Sequence, residues 1–169
     1  TGAACFSNQK QLALGWTMYS GDFREQLLPT RGPGLEHPGG GYWAAPSPDI
    51  AAGITTTEAL NRVRTGLEKS IIFKYCGAIG AYHCPGDLRT KNRKPGQGWA
   101  YDSYSKAEPM GGSYDSSGKP EPTGWGGVQF FFKTTSINDP SMSFTFIEES
   151  DPRNYNLGTW VLDPLPTPG

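Results

Sequence analysis

The chain has 169 residues, the length of one domain, and its 23 Gly and 15 Pro against 36% hydrophobic residues put much of it in loops and turns around a modest core. That composition excludes a long helical bundle. Fifteen Lys and Arg against 16 Asp and Glu leave a formal charge of -1, which excludes the basic footprint of a nucleic-acid partner, while 12% aromatic residues exclude a disordered chain.

Residues 1–25 carry the first element. Cys5, Leu12, Trp16, Tyr19 and Phe23 follow one another at seven, four, three and four residues, one stripe at helical period, and Leu14 and Met18 widen that apolar face. Asn8, Lys10 and Gln11 fall mostly off the stripe. The pattern is under way already at Thr1-Gly2-Ala3-Ala4-Cys5, as in the middle of an element. Gly21-Asp22 weakens the helix and Pro29 forbids its continuation. Residues 26–54 hold five prolines and the Gly39-Gly40-Gly41 run without periodicity, a long loop with Tyr42-Trp43 as its anchor.

A helical segment is expected over residues 55–77. Thr55 stands three residues before Glu58, the spacing of a capping box. Leu60, Val63, Leu67, Ile71 and Tyr75 keep the period, with Gly66 as a break and Gly77 as the stop. Residues 78–169 read as sheet and loops. Ala78 to Cys84 is a short extended segment closed by the turn Pro85-Gly86-Asp87, and the basic run from Arg89 to Lys94 is a solvated loop. Strands are expected around Trp99 to Lys106, Val128 to Lys133, Ser143 to Ile147 and Gly158 to Leu162. Pro109 to Gly127 is dense in Gly, Pro and Ser, a long outward loop.

Several of these segments, in this order, resemble a known family. Ala4-Cys5-Phe6-Ser7-Asn8-Gln9-Lys10-Gln11-Leu12 followed by Trp16-Thr17-Met18-Tyr19 is similar to the exposed half of the long N-terminal helix in type II secretion pseudopilins. These are members of the type IV pilin superfamily with a prepilin cleavage and methylation sequence. The likeness continues through Gly66-Leu67 to Tyr75, Tyr82-His83-Cys84-Pro85-Gly86-Asp87, Ser103-Tyr104-Ser105, and Pro140 to Glu149. It implies an α+β fold, a long N-terminal amphipathic helix packed on an antiparallel sheet with many loops. It further implies a non-catalytic structural subunit of the cell envelope, periplasmic or extracellular. Such a subunit is anchored in the inner membrane by an upstream apolar half-helix and partnered by other pseudopilin subunits and the secretion machinery. Cys76 is additional to the two-cysteine pattern of the family, and Glu148-Glu149 stands where an Asp-Glu pair is frequent.

The chemistry-bearing residues leave several alternatives open. Three cysteines allow Cys5–Cys84, which would tie the helix to the body across a loop of about 80 residues for roughly 2–4 kcal/mol, or the local pairing Cys76–Cys84, or free thiols. A zinc site from His37, Cys76, His83 and Cys84 has poor spacing. Glu148, Glu149, Asp151 and Asn154 offer the oxygen ligands calcium prefers, and the resemblance implies a calcium loop in this region. Trp43 and Trp125, in Gly-rich surroundings, are candidate contacts for carbohydrate or a secreted protein, the basis of an alternative reading as an exported binding module. No nucleophile-and-base motif, Walker loop or HExxH points to an enzyme.

Overall fold

The computed structural model describes residues 2–30, 52–115, 117–149 and 159–160. In it, helix α1 spans Gly2–Asp22. Cys5, Leu12, Gly15 and Tyr19 form its buried side, with Trp16 partly buried beside them. Leu14 and Met18 do not widen this face as their apolar character suggested: both are exposed, so α1 is apolar on two sides and the body covers one. Phe23 is also corrected. It lies one residue past the helix, 40% exposed, and reaches the inward stripe only by stacking on Tyr19 at 4.4 Å. The chain then turns away through Arg24 and Glu25, whose φ values of 53° and 68° are left-handed and end the helix.

Helix α2 spans Thr56–Lys69 and starts where the Thr55 hydroxyl accepts from the Glu58 N–H at 3.1 Å. Ala59, Val63 and Leu67 face the core. Gly66 is buried inside this helix and is no break. The interruption falls at Ser70, whose N–H and hydroxyl both donate to the Leu67 carbonyl, and α3 follows at Phe73–Cys76. Gly77, at φ 62°, closes α3 by returning its N–H to the Phe73 carbonyl.

Beyond it, Ile79–Tyr82 is a 3-10 turn where an extended segment was expected, because a long-range bond holds it: the Asn8 amide donates to the carbonyls of Gly80 and His83, at 3.2 and 2.7 Å. The basic run begins with a short helix α4, Arg89–Asn92, and its first residue is buried. A solvated loop is therefore the wrong description of Arg89.

Strand β1, Tyr104–Ala107, is central in a three-stranded sheet. It pairs antiparallel with β2, Phe146–Glu148, in the register Tyr104↔Glu148 and Lys106↔Phe146, and parallel with β3, Thr159–Trp160. The strand expected from Trp99 starts only at Tyr104. Every β1 residue is buried, since one face meets α1 and the segment before residue 31 while the other meets the Arg89 cluster described below. The molecule is thus an α+β arrangement in which the N-terminal helix packs on a small sheet, loosely compatible with a pilin-like fold.

Val128 to Lys133 does not become a strand. Its alternate residues meet a different partner each time, Gln129 with Thr123, Phe131 with Met110 and Lys133 with Gln26, so single bridges form and no ladder propagates. Nor does the Gly-rich stretch after Lys106 all face outward. Met110 and Ser113 are buried, and Gly111, at φ 119°, brings its backbone so near Leu28 that a Cβ would lie 1.9 Å from the Leu28 carbonyl oxygen.

Candidate functional site

The most distinctive construction is the way α1 is held. Cys5 and Cys84 form a disulfide with Cα atoms 4.8 Å apart, and Cys76 is a free cysteine. Next to the bridge, the Tyr104 hydroxyl donates to the Cys5 carbonyl at 3.1 Å, and Asn8, one turn on, makes the two bonds given above. Farther along, Gly15 lets α3 approach so closely that a Cβ there would sit 2.5 Å from the Cys76 sulfur. Burial pushes the Cys76 thiol up to about 11, so it stays protonated and poorly nucleophilic near neutrality. At the far end the Tyr75 hydroxyl donates to Asp22 at 2.8 Å.

Sequence reasoning passed over Asn8, yet it stands three residues after Cys5 and four before Leu12. The placement of Asn8 off the stripe is thus corrected: helical spacing sets it on the inward line, where its amide meets the partly exposed carbonyls of Gly80 and His83.

Behind the disulfide lies a cluster of charges. Arg89 donates to both carboxylate oxygens of Asp87, at 2.7 Å from its terminal nitrogen, and to the backbone carbonyls of Asp102 and Glu149. Burial works against a charged Asp87, but the hydrogen bonds from Arg89 and Ser103 prevail and hold its carboxyl below the usual range. Burial dominates at Asp102 and pushes it up to about 7 despite the pull of Arg89. Reading Gly86-Asp87 as turn chemistry alone missed this role.

Ser103, His83 and Asp87 lie together, which superficially suggests a hydrolytic trio. The Ser103 hydroxyl, however, is fully buried, donates to Asp87 at 2.7 Å and accepts the Cys84 N–H at 3.0 Å, while His83 Nδ1 lies 2.7 Å from the Tyr101 carbonyl oxygen. These bonds tie the Cys84 turn to β1. Of the zinc candidates, Cys84 is taken up by its bond to Cys5 while Cys76 is a free thiol, and His37 lies outside the described residues.

The calcium candidates do not converge among the described residues. Glu148 is exposed beside the Cys5–Cys84 bridge, whereas Glu149 turns inward and accepts from the Ser105 hydroxyl, and Asp151 and Asn154 lie outside the described residues. Of the two tryptophans named for ligand contact, Trp43 and the side chain of Trp125 also lie outside what is described.

What remains open is the outer side of α1. Phe6, Lys10, Leu14 and Met18 follow one another at four-residue intervals and so form one ridge. The three apolar members are 72%, 59% and 48% exposed. Chemically this is an apolar row, interrupted by Lys10, left in solvent on a firmly held helix. No protein-family model matches this chain, and no curated protein or solved structure matches it either.

Proposed function

We propose that this chain is the globular part of a pseudopilin-like structural subunit, assembled into a pseudopilus or a related type IV pilus-like assembly of the cell envelope and acting by packing instead of catalysis. The observation that carries this reading is the two-sided α1. One side is clamped to the body by a disulfide and side-chain hydrogen bonds, and the other presents Phe6, Leu14 and Met18. Burying the exposed part of each side chain against a neighbour would contribute up to about 1.5–3 kcal/mol, a favourable term that works against the cost of bringing copies together. Partners on this reading are other subunits and the secretion machinery, with the inner membrane reached through an upstream half of the helix.

The alternative, an exported carbohydrate-binding module, rests on Trp43 and Trp125, whose side chains lie outside the described residues. Electron microscopy of the full-length protein with its assembly machinery tests the proposal. Filaments that carry the protein, and that fail to incorporate the Leu14→Glu variant, are the expected result. A full-length protein that stays outside every filament would overturn it.

A further inference from the structure

We propose that Cys5, Cys84 and Glu148 form a redox-gated zinc site: the disulfide keeps it closed, and reduction of that bond releases two thiolate ligands beside a carboxylate. Three elements far apart in sequence meet here. Cys5 comes from the first turns of α1, Cys84 from the turn after Ile79–Tyr82, and Glu148 from the end of β2. The register Tyr104↔Glu148 sets that carboxylate beside the residue whose hydroxyl holds the Cys5 carbonyl. The two sulfurs and a Glu148 carboxylate oxygen lie within 4.8 Å of one another. Around a tetrahedral zinc, S and O ligand atoms stand roughly 3.6–3.8 Å apart. The carboxylate therefore has up to about 1 Å to travel. Glu148 is exposed and forms no salt bridge among the described residues, so its side chain can make that move.

Two further features suit a metal-bound thiolate at Cys84. In Cys84-Pro85-Gly86 the Gly86 N–H donates to the Cys84 sulfur at 3.3 Å. A hydrogen bond to the charged form of a ligand favours that form and fixes its orientation. Both cysteines also border a surface recess of about 310 Å³ that Gly2, Phe6, Gln9 and Glu148 help to line. That leaves room for a metal, with water or the Gln9 amide oxygen as a fourth ligand. Thiolates select zinc over calcium or magnesium, and a carboxylate completes a set that suits zinc better than copper(I). Cys76 is no member of this set. It meets α1 at Gln11 and Gly15, roughly 9–15 Å farther along the helix than Cys5.

The gate is a two-electron reduction by a dithiol. One thiolate of the reductant attacks a bridge sulfur and breaks the S–S bond, and its second thiolate displaces the mixed disulfide. The reductant leaves as a cyclic disulfide, its two protons passing to Cys5 and Cys84. Zinc then forms two Zn–S bonds, expels both thiol protons to solvent and takes the Glu148 carboxylate as its third ligand. The bound metal again joins α1 to the Cys84 turn, the same two elements that the disulfide joins.

The test titrates zinc into the 169-residue chain in competition with a chromophoric chelator. One sample is oxidised; the other is reduced with dithiothreitol, which is then removed by anaerobic gel filtration. Expected is one zinc per reduced chain and none in the oxidised chain. Glu148→Gln, at an exposed position, should weaken binding by about tenfold or more, and Cys5→Ser should weaken it further. Cys76→Ala should leave it unchanged. Cobalt in place of zinc should show the charge-transfer absorption of two thiolates, halved in Cys5→Ser. Far-UV circular dichroism of each sample reports whether the helices persist. Equal zinc uptake by the oxidised chain, uptake that survives Cys5→Ser or disappears in Cys76→Ala, or indifference to Glu148→Gln would each overturn the site. So would a reduced chain that takes up no zinc, whether its helices persist or melt.

Discussion

Two buried ionisable side chains on neighbouring stretches of chain set opposite pH responses. Asp102 is pushed up to about 7 by burial, with Arg89 opposing and Asp87 and Glu149 reinforcing the shift. An unfolded chain ionises this carboxyl near about 3.9, so between roughly pH 4 and 7 the folded state keeps a proton the unfolded state has lost, and stability falls as pH rises. Lys106 runs the other way. Its ammonium donates to the Thr30 hydroxyl at 2.7 Å and to the carbonyls of Ala107 and Met110, yet burial pushes it down to about 7. An unfolded lysine titrates near about 10.4, so from roughly pH 7 to 10 the unfolded state holds the extra proton and stability rises with pH. The two slopes meet near neutrality. Denaturant titrations across pH should show a minimum close to pH 7, with an acid limb of up to roughly 4 kcal/mol and an alkaline limb that flattens above about pH 8.5, where Cys76, raised to about 11, keeps a proton the unfolded thiol has lost. Asp102→Asn should flatten the acid limb alone and Lys106→Met the alkaline limb alone. At the same scale, Arg89→Ala strands the buried Asp87 carboxylate and should cost about 3–5 kcal/mol in equilibrium unfolding.

At the scale of elements, the seams around α1 carry the argument. Gly15 is the closest point between α1 and α3, and a methyl group there would overlap the Cys76 sulfur. Gly15→Ala should therefore destabilise by about 1–3 kcal/mol despite the better helix propensity of Ala, and adding Cys76→Ala should recover most of the loss. A double-mutant cycle read by urea unfolding checks this, because a loss unrelieved by Cys76→Ala would place the clash elsewhere. The disulfide acts on a longer range, its cysteines being 79 positions apart in sequence. Replacing both Cys5 and Cys84 by Ser should lower stability by roughly 2–4 kcal/mol. It should also speed hydrogen exchange in the first turns of α1 far more than in α2, since the hydrogen bonds of Asn8 and Tyr104 and side-chain packing would then have to hold those turns without the covalent tie.

For the whole molecule, the central fact is that one face of α1 belongs to the body and the other does not. Substitutions on the two faces should therefore separate stability from assembly. Leu12→Ala, at a fully buried position, should cost about 2–5 kcal/mol in thermal or denaturant unfolding. Met18→Glu, on the outer row, should change unfolding by no more than about 0.5 kcal/mol and, on the proposed structural-subunit reading, lower incorporation into filaments. Equal losses of stability from both would mean that the outer row is covered by the chain's own fold.

Local chemistry was legible from the residues alone. The stripe through Cys5, Leu12 and Tyr19, the Thr55 to Glu58 cap and the Gly77 stop all rest on interactions between residues close in the chain or on a repeating period, whereas the α+β class was implied by the family resemblance. Partners far apart in sequence were not. Cys84 had two possible mates in the sequence, and the choice of Cys5 depends on the packing of α1 over the turn after Ile79–Tyr82. Both Val128 to Lys133 and Tyr104–Ala107 have strand-like composition, but only the second finds neighbours that stay beside it for several residues. The outward turn of Leu14 and Met18 and the burial of Arg89 have the same origin. A side chain's chemistry sets what it can bond or bury, whereas the surface or carbonyl that it meets is brought there by the rest of the chain.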